Sequence, residues 1–455
     1  MADERDFDHA HADAGHGLTT PDQAPAGEAV KPAPVALAQR FDSLDILRGF
    51  ALLGILAMNI QTFAMPFAAY QNPTVFWPFD GVNRLTFLYT HFIFDQKMMS
   101  LFSMLFGAGV VLYAAKAKTK SDIPRIRWLW LRRMFWLFVI GMIHAYLIWE
   151  GDILVTYALC GAILIWWIRR FPVWVLLPLS IVFLLIMSGL SASQGWWMQA
   201  LENAQPGDFG MNAEELDEAR GQMAEQAAWF NPGADEIDRL VRTYRGSYGE
   251  VFAERASVAT MLQTFGFLFF LFWRASAMMM LGIVLMKTRV FTGERSSAFY
   301  AAMAMLGYVI GFPLIAMGVN VNLANNYEAA KVFMYGSHFN AFGSVFVALG
   351  HAGLLLFLYK SGVVGWLMKS LAAVGRMAFS NYLMQSVICA IIFYGYGFGY
   401  YGSLDRLEQQ IVVVGIWIFQ IVFSLFWLSR FRFGPMEWLW RALTYWKAPR
   451  MRLDR

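Results

Sequence analysis

Residues 44–59, LDILRGFALLGILAMN, decide the fold class, because they form an apolar run that opens a stretch long enough to cross a membrane. The run begins with an acid and a base, Asp45 and Arg48, and it closes on a single amide, Asn59, eleven residues past the arginine. Asp45 and Arg48 are three residues apart, so they share one face of a helix. The pattern predicts a transmembrane helix with an ion pair at one end and one polar side chain deeper in the membrane.

The composition extends this interpretation to the whole chain of 455 residues, which is 58% hydrophobic and 15% charged. Soluble domains are about 45–50% apolar and about 25% charged. The net charge of +4 gives no indication of a nucleic-acid partner. Cys160 and Cys389 both lie inside apolar runs, which argues against a disulfide framework and against a metal site. We therefore expect a polytopic membrane protein whose main partner is the lipid bilayer.

Each crossing of the hydrocarbon needs about 20 apolar residues. Backbone groups in lipid must bond internally, so each crossing is expected to be a helix. The stretch 83–95 is too short alone, and it is either an interfacial helix or the outer part of the second span. The prediction is an all-α bundle of about ten transmembrane helices, at residues 45–65, 96–115, 129–148, 152–168, 172–191, 259–286, 297–320, 338–359, 376–396 and 409–430.

Basic residues indicate the orientation of this bundle. Their clusters follow only the even-numbered spans, at residues 116–133, 169–170, 287–295, 360–369 and 430–455. Because Lys and Arg concentrate on the cytoplasmic side, both termini are expected in the cytoplasm. No cleaved signal peptide is apparent, so we expect the first span to direct insertion.

Five regions follow from these spans. The segment between spans five and six contains no Lys and is rich in acids, and Pro232 and Gly233 separate two amphipathic stretches within it. The expected regions are a disordered cytoplasmic tail at 1–40, a first transmembrane half at 41–192, a helical periplasmic insertion at 193–258, a second transmembrane half at 259–430 and a basic cytoplasmic tail at 431–455.

Charged side chains inside a membrane are costly and are therefore candidates for function. Arg48 is either half of an ion pair with Asp45 that orients the first span, or the binding group for a phosphate that arrives from the cytoplasm. Arg274 lies near the middle of the sixth span with no acid close by in its own helix. We expect Arg274 to face the bundle and to meet a carboxylate or a bound anion from elsewhere.

The stretch 141–158, GMIHAYLIWEGDILVTYA, joins the third and fourth spans. It places His144 and Asp152 at similar depth on adjacent antiparallel helices. Glu150 lies in the turn between them and is the other carboxylate that could orient His144 for catalysis. A carboxylate that orients an imidazole makes the imidazole an effective general base. In the alternative interpretation, Asp152 only caps a helix and His144 only bonds a carbonyl group.

Three further polar pairs lie in or beside the spans: His91 and Asp95, His338 and His351, and Asn381 and Gln385. The first pair has the spacing of two metal ligands, but two ligands are too few and no metal site is predicted. The second pair is typical of satisfied interior histidines. Interhelical hydrogen bonds account for the third pair, although a ligand-binding role is the alternative.

Five blocks of sequence resemble the YeiB-like bacterial inner-membrane proteins, whose C-terminal half is described as domain of unknown function 418. They are LDILRGFALLGILAMNIQTF (44–63), FDQKMMSLFSMLFGAG (94–109), GMIHAYLIWEGDILVTYA (141–158), VGRMAFSNYLMQS (374–386) and FRFGPMEWLWRALTYWK (431–447). That family resembles a wider superfamily of transmembrane acyltransferases, including the acyltransferase-3 proteins and the heparan-glucosaminide acetyltransferase. The resemblance implies transfer of an acyl group from cytoplasmic acyl-CoA, usually acetyl-CoA, to a hydroxyl or amine acceptor at the periplasmic side. It also allows a homodimer.

One departure from the acyltransferase-3 pattern concerns the first span. Arg48 occupies the position of the arginine of that pattern, whereas Asn59 stands where the pattern has a histidine. An amide does not take up a proton near neutral pH, so Asn59 is expected to position a substrate rather than to act as the base. Either the base comes from elsewhere, with His144 favoured, or the protein only binds its ligand.

Two function classes are alternatives to an acyltransferase. One is a transporter of a small anionic or amphipathic solute, with Arg274 in its pathway, and the other is a non-catalytic envelope binding protein.

Overall fold

The computed structural model describes residues 41–117 and 119–453. In this part of the chain the regular structure is helical, apart from a single bridge between Phe431 and Arg452. The predicted all-α fold class is therefore confirmed. The N-terminal tail expected at 1–40 lies outside the described residues.

Sixteen helices make up the described bundle. In chain order they are α1 (Asp42–Ala64), α2 (Phe67–Gln71), α3 (Gly81–Ile93), α4 (Lys97–Ala114), α5 (Ile123–Leu147), α6 (Leu154–Ile168), α7 (Val173–Asn203), α8 (Ala213–Ala228), α9 (Ala234–Tyr244), α10 (Tyr248–Lys287), α11 (Ser297–Ala324), α12 (Ala329–Ser361), α13 (Gly365–Arg376), α14 (Ala378–Phe393), α15 (Arg406–Leu428) and α16 (Pro435–Tyr445).

Seven of these elements in the described chain are long and apolar enough to cross a membrane: α1, α3 with α4, α7, α10, α11, α12 and α15. Helices α13 and α14 raise the number to eight if they form one span, which is bent by 81°. A helix also covers each of the remaining predicted stretches, but α5 carries several arginines in its first half and α6 is short. A multi-pass membrane protein is thus confirmed, and the count of about ten spans stays a prediction.

The short stretch at 83–95 lies in a helix that leads directly into the second predicted span. Helices α3 and α4 run on as one element from Gly81 to Ala114, with a break at Phe94, Asp95 and Gln96. Gln96 has a left-handed backbone with φ of 58°. The break leaves two charged side chains, Asp95 and Lys97, fully buried in the bundle.

Close helix packing holds α1 against α13. A Cβ atom added to Gly49 would overlap the carbonyl group of Leu371, and one added to Gly375 would overlap the carbonyl group of Asp45. The two backbones therefore contact each other directly, as small residues permit in membrane bundles.

A buried arginine fixes the turn between α5 and α6. Arg255 on α10 is 0% exposed, and its guanidinium donates to the carbonyl groups of Tyr146, Leu147 and Ile148 at 3.0–3.2 Å. The last carbonyl groups of a helix lack partners within the helix. Arg255 supplies these partners at the end of α5, and so it sets the start of the turn 149–153.

The insertion between α7 and α10 contains helices α8 and α9, which are separated at Pro232 and Gly233 as the sequence indicates. Helix α9 is tied to α10 by Arg239, whose guanidinium lies 2.8 Å from Glu254. The orientation of this insertion relative to the two sides of the membrane stays a prediction.

Replacing either glycine of the α1–α13 contact by alanine is expected to destabilise the bundle, because the new methyl group meets a backbone carbonyl that cannot move aside. Overpacking of this kind costs about 1–3 kcal/mol. Thermal unfolding of purified Gly49→Ala and Gly375→Ala in detergent should show a lower midpoint than wild type. Gly109→Ala on α4 is the control, since its Cβ position is open. Equal midpoints for all three variants would contradict direct backbone contact.

The Arg255→Ala variant is expected to lose about 1–3 kcal/mol of stability for each carbonyl group left buried without a donor. Its thermal midpoint should fall clearly below that of Arg242→Ala, which removes an exposed arginine from α9. If the two variants unfold at the same temperature, Arg255 does not support the α5–α6 turn.

Candidate functional site

A cavity of about 710 Å³ lies within the bundle, between α1, α4, α7, α10, α11 and α12. Its wall is mostly apolar, and its apolar part includes two π-helical segments, Leu262–Leu271 of α10 and Val332–Gly336 of α12. A single-turn π segment within an α-helix, such as Val332–Gly336, often occurs at a functional site. A mainly apolar cavity with a few convergent polar groups is the usual form of a small-molecule site.

The cavity occupies the half of the bundle that carries the insertion. Helix α1 lines it only from Ile55 onward, and α10 lines it only as far as Arg274. Two lining residues are exposed, Gln71 and Trp229, and Trp229 directly follows α8 of the insertion. We place the mouth of the cavity at these two residues. The opposite half of the bundle is a packed apolar core.

A histidine and an aspartate form the central polar pair of the cavity wall. The Nδ1 atom of His91 lies 3.0 Å from Oδ2 of Asp95. Asp95 also accepts hydrogen bonds from Tyr70 Oη at 2.8 Å and from Asn340 Nδ2 at 2.7 Å. The His91 ring stacks on Phe87 with a centroid distance of 5.2 Å. The carboxylate and the stacking partner therefore fix the orientation of the imidazole.

The second nitrogen of His91 differs from the first in having no protein partner among the described residues. His91 lines the cavity, and Nε2 makes no hydrogen bond within the described part of the chain. When Nδ1 donates its proton to Asp95, the lone pair of neutral imidazole lies on Nε2. This arrangement of an oriented imidazole with a basic nitrogen that has no partner in the described chain is that of a general base.

Two buried cations accompany the pair. Lys97 is 0% exposed, and its Nζ donates to the carbonyl of His91 at 2.6 Å and to Asn340 Oδ1 at 2.8 Å. Arg274 lines the cavity with neutral oxygens as partners, namely the carbonyl of Ala341 and two serine hydroxyls. Its Nε atom has no partner in the described chain. Arg274 lines the cavity and makes no ion pair among the described residues, so this region of the wall favours an anionic or electron-rich ligand group.

The predicted pair of His144 and Asp152 is present, but it lies behind the cavity wall. Nδ1 of His144 is 2.7 Å from Asp152 Oδ1, and Nε2 is 2.9 Å from the hydroxyl of Ser386. Asp152 also accepts from the backbone N–H of Val155 at 2.8 Å, so it caps α6 as well. Asp152 lines the cavity, whereas His144, which is 1% exposed, does not. Because both ring nitrogens of His144 have protein partners, the geometry favours His91 as the base.

Glu150 lies in the turn before α6 and lines the cavity, although it is only 2% exposed. Its Oε1 is 3.4 Å from the hydroxyl of Tyr244, and its Oε2 has no partner in the described chain. Burial raises the pKa of the Glu150 carboxyl to about 7. The neighbouring Trp149 stacks on Phe63 with a centroid distance of 4.6 Å.

The two polar residues of α1 that the sequence analysis selected, Arg48 and Asn59, lie in different parts of the structure. Asn59 lines the cavity, whereas Arg48 lies outside its wall and pairs with Asp45 at 2.7 Å. With a rise of 1.5 Å per residue, eleven residues separate the two positions by about 16 Å along α1. Arg48 therefore belongs to the end of the helix opposite the cavity.

Asn381 and Gln385 also lie outside the cavity. Asn381 donates to the hydroxyl of Ser424 at 2.9 Å, and Gln385 donates to Gln420 at 2.8 Å. Both bonds join α14 to α15, which is the interhelical role that the sequence indicates.

The remaining histidines of the described chain, His338 and His351, have protein partners. His351 contacts Tyr308 Oη and the carbonyl of Ile93, each at 2.9 Å, and His338 Nε2 bonds the carbonyl of Met334. Within residues 41–117 and 119–453, no three His, Cys, Asp or Glu side chains are grouped so as to hold a metal ion. His91 and Asp95 pair with each other instead.

The family model and the relatives found by comparison with known proteins indicate the same family. A family model described as "Protein of unknown function (DUF418)" matches residues 285–447. The uncharacterized protein YeiB of Escherichia coli is 31% identical, over 89% of this chain and 96% of its own. The uncharacterized protein YxaH of Bacillus subtilis is 31% identical, over 90% of this chain and 96% of its own. The chain therefore belongs to the YeiB-like family of membrane proteins that carry the DUF418 domain.

Proposed function

We propose that this protein is a membrane acyltransferase in which His91 acts as the general base. The observation that carries the proposal is the His91–Asp95 pair at the cavity wall, with the 3.0 Å contact on Nδ1 and no hydrogen bond to Nε2 within the described part of the chain. The resemblance to transmembrane acyltransferases supports the same reaction class. Acyl-CoA is the proposed donor, and the acceptor is a molecule with a free hydroxyl or amine.

In the proposed reaction, Nε2 of His91 takes a proton from the acceptor group as that group attacks the acyl carbonyl carbon. The carbonyl oxygen gains negative charge, which the nearby Arg274 guanidinium stabilises through its unpartnered Nε. Asn59 donates a hydrogen bond that positions one of the reactants. The thioester carbon–sulfur bond then breaks, and the thiolate of CoA takes the proton from His91. The products are the acylated acceptor and free CoA.

The proposed orientation places both termini in the cytoplasm of a bacterial inner membrane and the insertion in the periplasm. The mouth at Gln71 and Trp229 then admits the acceptor from the periplasmic side. The donor comes from the other side, where Arg48 is exposed enough to contact its phosphates. Leu52 and Leu56 lie between the two positions and are buried. Donor binding therefore requires the helices around α1 to separate during each reaction cycle.

The direct test uses the purified protein in liposomes with radiolabelled acetyl-CoA. We expect label to move to water or to added envelope fractions, and His91→Gln and Asp95→Asn to reduce the rate by about 10²–10⁴-fold. Asp217→Asn, which changes an exposed aspartate of α8, is the matched control and should keep the wild-type rate. Equal rates for wild type and His91→Gln would contradict the assignment of the base.

A second comparison separates the two histidines. His144→Gln is expected to lower the thermal midpoint, because it removes hydrogen bonds between α5, α6 and α14, while the activity of the folded fraction persists. His91→Gln is expected to show the reverse pattern, with little change in stability and loss of transfer. If His144→Gln abolishes transfer and His91→Gln does not, the sequence-based assignment of His144 is the right one.

Transport of a small anionic solute is the second candidate function. The observation that favours it is a cavity that is open at one end, packed at the other and lined by the buried cation Arg274. Transporters bind their substrates in such midplane sites and open to each side in turn. Uptake of a labelled anion into proteoliposomes without acyl transfer would favour this candidate.

A further inference from the structure

The turn between α5 and α6 presents a buried carboxylate that accepts no hydrogen bond from a cation of the described chain. Glu150 is 2% exposed, it lines the cavity, and its Oε2 has no hydrogen bond in the described chain. Arg255, which interacts electrostatically with Glu150, gives its hydrogen-bond donors to the three carbonyl groups at the end of α5. A buried carboxylate is costly unless it is paired. The site is therefore prepared for a cation from outside the protein.

The surroundings of Glu150 suit an ammonium group. The aromatic side chains of Trp149, Tyr157 and Tyr382 line the cavity together with Glu150 and Asp152. The hydroxyl of Tyr382 has no partner in the described part of the chain. Aromatic side chains attract an ammonium ion electrostatically, so a cavity lined by aromatic side chains and carboxylates can bind one.

The cavity wall therefore has two charged regions of opposite sign. Arg274 lies in one region with its Nε unpartnered, and Glu150 lies in the other with its Oε2 unpartnered. A ligand that carries a positive amino group and an electron-rich carbonyl or anionic group matches both.

We propose that the acceptor of this protein carries a cationic amino group, which Glu150 binds inside the cavity. That the bound molecule is the acceptor of a reaction rests on the proposed function. The ammonium site itself rests on the geometry of the cavity. Glu150 is a recognition residue in this scheme, and proton transfer stays with His91.

The acidity of Glu150 gives the site a measurable pH dependence. Burial raises its pKa to about 7, Arg255 and the Tyr244 hydroxyl act in the opposite direction, and Glu254 adds to the increase. The carboxylate form therefore predominates above about pH 7, where an alkylammonium ion with a pKa of about 10 is still charged. Binding of the ammonium ion should strengthen as the pH rises from about 6 to about 8.

The test measures binding by thermal stabilisation of the purified full-length protein in detergent, with hexylammonium and its neutral counterpart 1-hexanol as probes. Wild type should bind hexylammonium at least about tenfold more tightly than hexanol. The Glu150→Gln variant should lose this preference, and Glu225→Gln on the exposed face of α8 should keep it. The wild-type preference should also vanish at about pH 6, which tests the site without a variant.

Retention of the preference in Glu150→Gln, or no preference in wild type at about pH 8, would overturn the proposal. Because the readout is binding, it is independent of acyl transfer. An ammonium preference without any acyl transfer would contradict the proposed enzyme activity and support the ammonium site. Acyl transfer without an ammonium preference would support the enzyme activity and contradict the ammonium site.

Discussion

The carboxylate of Asp95 is the group on which the site depends. It lies at the break between α3 and α4, and it holds His91 at 3.0 Å, Tyr70 at 2.8 Å and Asn340 at 2.7 Å. Asn340 in turn accepts from Lys97. A charge in a membrane interior requires such partners, because water cannot supply them. One carboxylate thus joins α2, α3, α4 and α12 around the cavity and orients the imidazole within it.

The sequence predicts the fold well because membrane physics constrains it strongly. The apolar runs locate the helices. The location of Arg274 in a bundle interior also follows from the cost of a charge in lipid. The pairing of His144 with Asp152 follows from two helices that reverse within a few residues.

The composition of the site is harder to predict, because it depends on tertiary contacts. His91 and Asp95 look like two metal ligands in sequence, and only the position of Asn340, far along the chain, shows that Asp95 is a structural acceptor. Lys97 looks like an end-of-span residue, whereas the left-handed backbone at Gln96 turns it inward. The sequence signal for this part of the site is the acid–base pair of Asp95 and Lys97, which lie two residues apart beside an apolar run.

The two halves of the bundle differ in structure. The half with the insertion holds the cavity, its mouth at Gln71 and Trp229, and its charged groups. The other half is packed and ends in the ion pair of Arg48 and Asp45.

The most direct measurement is therefore the accessibility of single cysteines at positions 48 and 59, in a background that lacks Cys160 and Cys389. We expect a membrane-impermeant maleimide to reach Asn59→Cys from the insertion side and Arg48→Cys only from the opposite side. Labelling of Asn59→Cys only from the Arg48 side would contradict this expectation.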